Sequence, residues 1–234
     1  MDGFKTFETA RAMQMAAADY IAARLKAAVN KSGAARMLVS GGSSPRPVYE
    51  SLSQMDMAWE RVNVGLVDER WVSPDAEGSN AAFIAQTLLQ GKAKTANFVA
   101  MKTEHESAAL GANSVSDIYS KAFTPIDICI MGMGLDGHTA SWFPNVLDLN
   151  TAMDVDNKSM ACAIDATGCD VAGAHTERMS LTLPAVMNAS EILLLITGEA
   201  KRDVLEAAQG QSVYEAPVKA LFSAGPRLKI FWGP

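Results

Sequence analysis

The stretch Ile126-Asp127-Ile128-Cys129-Ile130-Met131-Gly132-Met133-Gly134-Leu135-Asp136-Gly137-His138-Thr139-Ala140-Ser141-Trp142-Phe143-Pro144 decides the fold. Its first part is an apolar run rich in β-branched residues, bounded by Pro125 and Gly132, and reads as a buried strand. Gly132, Gly134 and Gly137 then turn the chain, with Asp136 and His138 set among them. Thr139 or Ser141 is the expected cap of a short helix that follows. Strand, glycine turn and helix start form the unit of an open α/β sheet, in which ligands bind beyond the carboxyl ends of the strands.

The same unit recurs on both sides of this stretch. Residues 7–31 read as a long helix, with Met13, Ala17, Tyr20, Ile21, Leu25 and Ala28 on one face and Gly33 closing it. Met37 to Val39 is a short strand ending in Ser40-Gly41-Gly42-Ser43-Ser44-Pro45, after which a helix runs through Tyr49 and Leu52. Val62 to Val67 reads as a second strand, leading directly into the charged loop Asp68-Glu69-Arg70-Trp71. Helices are expected near 80–89 and 106–122, and a strand near 98–101. Residues 144–159 read as loop with one helical turn, Met160 to Ile164 as an edge strand, Thr167 to His175 as a Gly-containing loop, and Pro184 to Asn188 as a turn. Arg178 to Leu183 alternates as a strand would, Ile192 to Ile196 is a buried strand, Glu199 to Ala208 a helix, and Leu228 to Trp232 the last strand. Strands alternating with helices predict a doubly wound, mainly parallel α/β sheet with helices on both faces. No repeat, linker or composition shift divides residues 1–234, so one domain is expected.

Composition narrows the function classes. A hydrophobic fraction of 49% with 20% charged residues is that of an ordinary globular chain. A net charge of -6 argues against a nucleic-acid partner, but a few local cations and backbone N–H groups suffice for one phosphate. Cys129, Cys162 and Cys169 have no paired spacing and predict free thiols in a reducing, cytoplasmic setting. The first residues lack the apolar core of a signal peptide, and the longest aliphatic run, Ile192 to Ile196, is too short to span a bilayer, so no membrane partner is expected.

Three motifs carry chemistry. Gly132 to Gly137 matches G-x-G-x-x-G, but it lies past mid-chain, and Pro144 and Asn145 interrupt the helix that a dinucleotide would need. Ser40 to Pro45 suits an anion through two glycines and two hydroxyls, or is an ordinary turn of the same composition; it is not a Walker loop. His138 is a structural histidine or a base on a strand-end turn, with Asp136 placed to orient it. His105 and His175 lie at no metal-ligand spacing from it, so no metal is expected.

Together the segments resemble the 6-phosphogluconolactonase family over residues 7 to 232. The resemblance rests on Ser40 to Pro45, Asp68-Glu69-Arg70-Trp71-Val72 with Ser79-Asn80, Gly132 to Pro144, Arg178 to Pro184, and Gly198-Glu199-Ala200-Lys201, in that order. It implies a Rossmann-like fold shared with glucosamine-6-phosphate deaminase and ribose-5-phosphate isomerase. It also implies hydrolysis of 6-phospho-D-glucono-1,5-lactone, in the oxidative pentose phosphate branch, with no cofactor. The site set is then His138, Asp136 and Arg70 for the chemistry. Gly41, Gly42, Ser43, Ser44, Asp68, Asn80, Gly134, Arg178 and Lys201 would bind substrate and phosphate. Ser44 stands where the family often has threonine, Ala81 where an aromatic is common, and 73–79 lacks a common histidine. The deaminases continue Asp-Gly-His with a motif containing a further glutamate, and this chain has none there. A deaminase-like isomerase and a non-catalytic sugar-phosphate sensor are the rival readings. The sensor is disfavoured because the chain shows no room for a DNA-binding module and no basic patch. Oligomeric state is not legible in the sequence.

Overall fold

The computed structural model describes residues 3–234. The elements are, in order, β1 (Phe4–Thr6), α1 (Ala10–Ser32), β2 (Ala35–Val39), α2 (Arg46–Leu52), β3 (Val62–Leu66), β4 (Asp68–Arg70), α3 (Asn80–Thr87), β5 (Asn97–Phe98), α4 (Ala108–Ala122) and β6 (Ile128–Met131). They continue with α5 (Leu149–Met153), β7 (Ala161–Asp165), β8 (Glu177–Leu181), α6 (Leu183–Met187), β9 (Glu191–Thr197), α7 (Glu199–Ala208) and β10 (Leu228–Gly233). A 3-10 segment at Pro217–Arg227 precedes the last strand.

Seven strands form one parallel sheet in the order β1-β10-β9-β6-β2-β3-β5. All four residues of β6 are buried, which requires cover on both faces of the sheet. On one of them α1 lies across β2, β6 and β10, burying Met13, Ala17, Ile21, Leu25 and Ala28. Thr9 caps this helix by accepting the Ala12 N–H at 3.1 Å, and Gly33 ends it at φ 80°, a conformation that costs a residue with a Cβ.

The strand order fixes where a ligand can go. From β2 the chain builds outward to β3 and β5 on one side, and later through β6, β9 and β10 on the other. The order reverses between β2 and β6, so the loops leaving these neighbours diverge to opposite sides and leave a crevice at the carboxyl edge. Ser40 to Pro45 leaves β2 there, and Gly132 to His138 leaves β6.

Several expectations are corrected. Asp68 to Arg70 is not a loop: it is a strand of a second, antiparallel sheet, ordered β4-β8-β7. The parallel strand β3 passes into it through Val67, whose N–H donates to Val39 O at 3.0 Å and whose carbonyl accepts the Leu181 N–H at 2.9 Å. Alternation alone could not separate two strands that follow each other without a turn. No helix begins at Thr139 or Ser141, because both hydroxyls serve other partners, described below. Pro184 to Asn188 is not a turn; Thr182 caps a short helix there through the Ala185 N–H, 3.3 Å from its oxygen. The edge strand β1 was not expected at all, and β5 ends at Phe98 instead of running to 101.

Candidate active site

The loop after β2 is built for close approach. A Cβ on Gly41 would lie 2.2 Å from Asn80 Oδ1, so only glycine lets this loop meet the start of α3. Gly42 sits at φ +111°, again a glycine conformation. Tyr49 OH donates to Ser40 O at 2.9 Å, and the Ser44 and Thr197 hydroxyls meet at 2.9 Å, tying this loop to the end of β9. No side chain caps α2, and Pro45 at its start lines the crevice.

The turn after β6 is closed by the Gly134 N–H on His138 O (2.9 Å) and by Thr139 Oγ1 donating to Gly132 O (2.7 Å). His138 Nδ1 lies 2.5 Å from Asp136 Oδ1, which also accepts the His138 backbone N–H at 3.2 Å. An imidazole bonded to a carboxylate at Nδ1 keeps its proton there and presents Nε2 as the acceptor. Burial works against ionisation of Asp136, but the hydrogen bond and charge of His138 outweigh it and hold the carboxyl below the usual carboxylate range. A Cβ on Gly134 would sit 2.2 Å from His138 Cε1 and Nδ1, so the ring lies directly on this glycine. Its other neighbour is Phe143, with ring centroids 4.9 Å apart.

Thr139 and Ser141 are buried on either side of Ala140, which is held at φ 50°. Ser141 Oγ donates to Asp68 Oδ2 at 2.7 Å, so this turn is clamped to the small sheet and not continued as a helix. A dinucleotide site needs the helix N-terminus that is missing here.

In the small sheet Asp68 pairs with Ser180, Glu69 with Met179 and Arg70 with Arg178. Alternation puts Asp68 and Arg70 on one face and Glu69 on the other. Glu69 is fully buried, and its carboxylate accepts the N–H groups of Arg70, Asn80 and Ala81 and the Ser79 hydroxyl, at 2.7 to 3.0 Å. It holds the start of α3, and with it Asn80, against β4. Burial nevertheless pushes this carboxyl upward.

Arg70 and Arg178 lie directly opposite each other, an arrangement that repels unless something negative joins them. Among the described residues neither has a carboxylate within ion-pair distance. Arg178 donates to His175 O (2.5 Å) and Ala172 O (2.7 Å), and Arg70 to Gly78 O, while Arg70 Nε is buried without a partner. Burial pulls the Arg178 guanidinium down from its ordinary range. Lys201, in the first turn of α7, is also pulled down by burial. Three cations that form no ion pair among the described residues make a pole suited to an anion.

One cavity of about 270 Å³ collects these groups. It is lined by Gly41, Gly42, Ser43, Ser44, Asp68, Arg70, Asn80, Gly134, His138, Arg178 and Lys201; Asp136 stands behind His138 and does not line it. Ser40, Ala140, Phe143 and Val171 line it too and were not singled out in the sequence. Ser40 heads a quoted loop and Phe143 lies inside the central motif, but neither was given a role of its own. Val171 sits in a loop whose course nothing in the sequence discloses. Among the described residues, no group of three His, Cys, Asp or Glu side chains is placed to hold a metal ion.

The family model described as glucosamine-6-phosphate isomerases/6-phosphogluconolactonase matches residues 8–232. A 6-phosphogluconolactonase of Rhizobium meliloti (strain 1021) is 36% identical over 230 residues, 97% of each chain. The crystal structure of a 6-phosphogluconolactonase from Shewanella baltica OS155 superposes with a TM-score of 0.92 at 34% identity, over 99% of this chain and 97% of that one. A monomeric glucosamine-6-phosphate deaminase superposes at 0.81 over 98% of this chain and 96% of its own, but at 14% identity it shares the fold alone.

Proposed function

The chain belongs to the glucosamine-6-phosphate isomerase/6-phosphogluconolactonase family, and from that premise we propose that it hydrolyses 6-phospho-D-glucono-1,5-lactone to 6-phospho-D-gluconate. The observation that carries this reading is His138, oriented by Asp136, facing one cavity with a cationic pole whose members form no ion pair among the described residues. An ester needs an activated water, and a phosphorylated sugar needs a cationic grip.

His138 Nε2 takes the proton of a water as it attacks the lactone carbonyl carbon, and Asp136 holds the ring in the required tautomer. The backbone N–H groups of the glycine turn stabilise the oxyanion as it forms. Ring opening then returns the proton to the departing ring oxygen. Gly42, Ser43 and Ser44 with Arg178 and Lys201 hold the 6-phosphate, and this remote binding aligns the carbonyl. Asp68 and Arg70, on one face of β4, meet the sugar hydroxyls and the developing charge, while Gly41, Asn80 and Gly134 shape the floor. Residues 1–234 act as one domain.

The deaminase reading is disfavoured by Phe143, an apolar ring within the stretch where the deaminases carry a further glutamate. Among the described residues no helix is long and apolar enough to cross a membrane. The deciding experiment follows the loss of freshly generated 6-phosphogluconolactone, with spontaneous hydrolysis subtracted. Turnover above that background is expected; its absence, together with ammonia release from glucosamine 6-phosphate, overturns the proposal.

A further inference from the structure

Phe143 touches both halves of the site. Its ring lies 4.9 Å from the His138 ring, tilted by 44°, and 5.5 Å from the Arg178 guanidinium carbon. It is 2% exposed, yet it lines the cavity. Its backbone is fixed by its neighbours: the Ser141 N–H donates to Ser180 Oγ (3.3 Å), Ser141 Oγ to Asp68 (2.7 Å), and Trp142 Nε1 to Leu181 O (2.8 Å). The turn is therefore held by residues 141 and 142, and the ring of 143 is left to support other groups. His138 also lies against Gly134, so the imidazole touches both a glycine and an aromatic ring.

We propose that Phe143 is a positioning residue that couples the general base to the phosphate-binding arginine: one ring fixes the plane of His138 and carries Arg178 on its face. The inference rests on the lactonase reading above. A guanidinium over an aromatic ring gains a directional attraction, and the same contact limits the ring's own rotation. When a phosphate draws Arg178 into place, the ring beneath it is pinned, and with it the imidazole. By linkage a loosened ring weakens phosphate binding, and the same loosening frees the imidazole it touches.

The test compares Phe143→Leu, which keeps an apolar side chain of similar bulk, with Phe143→Tyr, which keeps the aromatic face. Steady-state rates, the dissociation constant of 6-phosphogluconate and the thermal midpoint are measured for each. Phe143→Leu is expected to lower kcat about tenfold through misalignment of the base. It should also weaken 6-phosphogluconate binding roughly fivefold through Arg178. Phe143→Tyr should stay within about twofold of the parent on both, since its ring is retained. In a His138→Ala background the kcat effect of Phe143→Leu should vanish while the binding effect persists, a split that a merely structural role would not produce. Parental kcat and binding in Phe143→Leu would overturn the proposal, as would Phe143→Tyr failing equally with both losses tracking a lowered thermal midpoint. If His138→Ala itself turns over the lactone at the parental rate, the lactonase mechanism fails; if only Phe143→Leu is silent, this inference fails alone.

Discussion

In the seven-stranded sheet, the groups that face the cavity lie beyond the strand ends: Ser40 to Ser44 after β2, Gly132 to His138 after β6 and Lys201 after β9. In the three-stranded sheet they lie on the strands themselves, Asp68 and Arg70 on β4 and Arg178 on β8. Burial explains the difference. Parallel strands covered on both faces have no room for a charge, so their polar work is displaced to the turns at one edge. An antiparallel sheet can leave one face open, and alternate residues along it become available to a ligand. The proposed base and the loop thus come from backbone turns whose geometry glycine makes possible, whereas the arginine pole comes from the period of two.

The largest effect should come from the turn side. His138→Ala is expected to lower kcat by about 10²–10⁴-fold with little change in thermal midpoint, since the ring is a tool of the turn and not its support. A parental kcat would remove the imidazole from the reaction. Gly134→Ala sharpens the point, because it alters no functional group and only places a Cβ where the His138 ring lies. A displacement of this kind should cost about 10²-fold in kcat at modest cost in stability; parental kinetics would mean that the ring has other places to sit.

The strand side should respond differently. Arg178→Met is expected to lower kcat/KM about 10- to 100-fold, chiefly through KM because it removes a binding charge, with a smaller loss in kcat through the Phe143 ring that Arg178 pins. A loss confined to kcat would break the division between the two sheets. Lys201 supplies a pH test. Burial lowers its pKa, so its charge is lost at a lower pH than that of an exposed lysine. Binding of 6-phosphogluconate should weaken as pH rises through that lowered value, and Lys201→Arg should remove this alkaline limb because a guanidinium stays protonated. An identical limb in the arginine variant would assign it to another group.

The smallest effect on turnover should come from Glu69→Gln, on the face of β4 turned away from the cavity. The substitution replaces an acceptor of four donors with an amide that adds donors of its own. A loss of about 2–3 kcal/mol in unfolding free energy is expected, with kcat changed only a few-fold. The reverse pattern, full stability with lost activity, would place Glu69 in the chemistry and collapse the distinction between the two faces.

Local signals carried much of this. The β6 stretch, Gly41-Gly42, and the helix from Glu199 were all readable because glycine placement and apolar periodicity are properties of short segments. His138 and Asp136 were legible as a pair two residues apart on one turn. The second sheet was not, because Asp68 to Arg70 and Glu177 to Leu181 recognise each other across more than a hundred residues, and nothing local says that a charged tripeptide is buried. The same limit hid Ser141, which looks like a helix cap until Asp68 arrives to accept its hydroxyl.

The sequence by itself determined the α/β class, the turns that open at the strand ends, and the chemical types available there. Only the tertiary structure decided that Arg70 faces Arg178, that Glu69 turns away to hold α3, and that Phe143 lies against both His138 and Arg178. The reason is physical: turn conformation is set by the residues in the turn, while the pairing of buried charges depends on which distant strands the order of the sheet brings side by side.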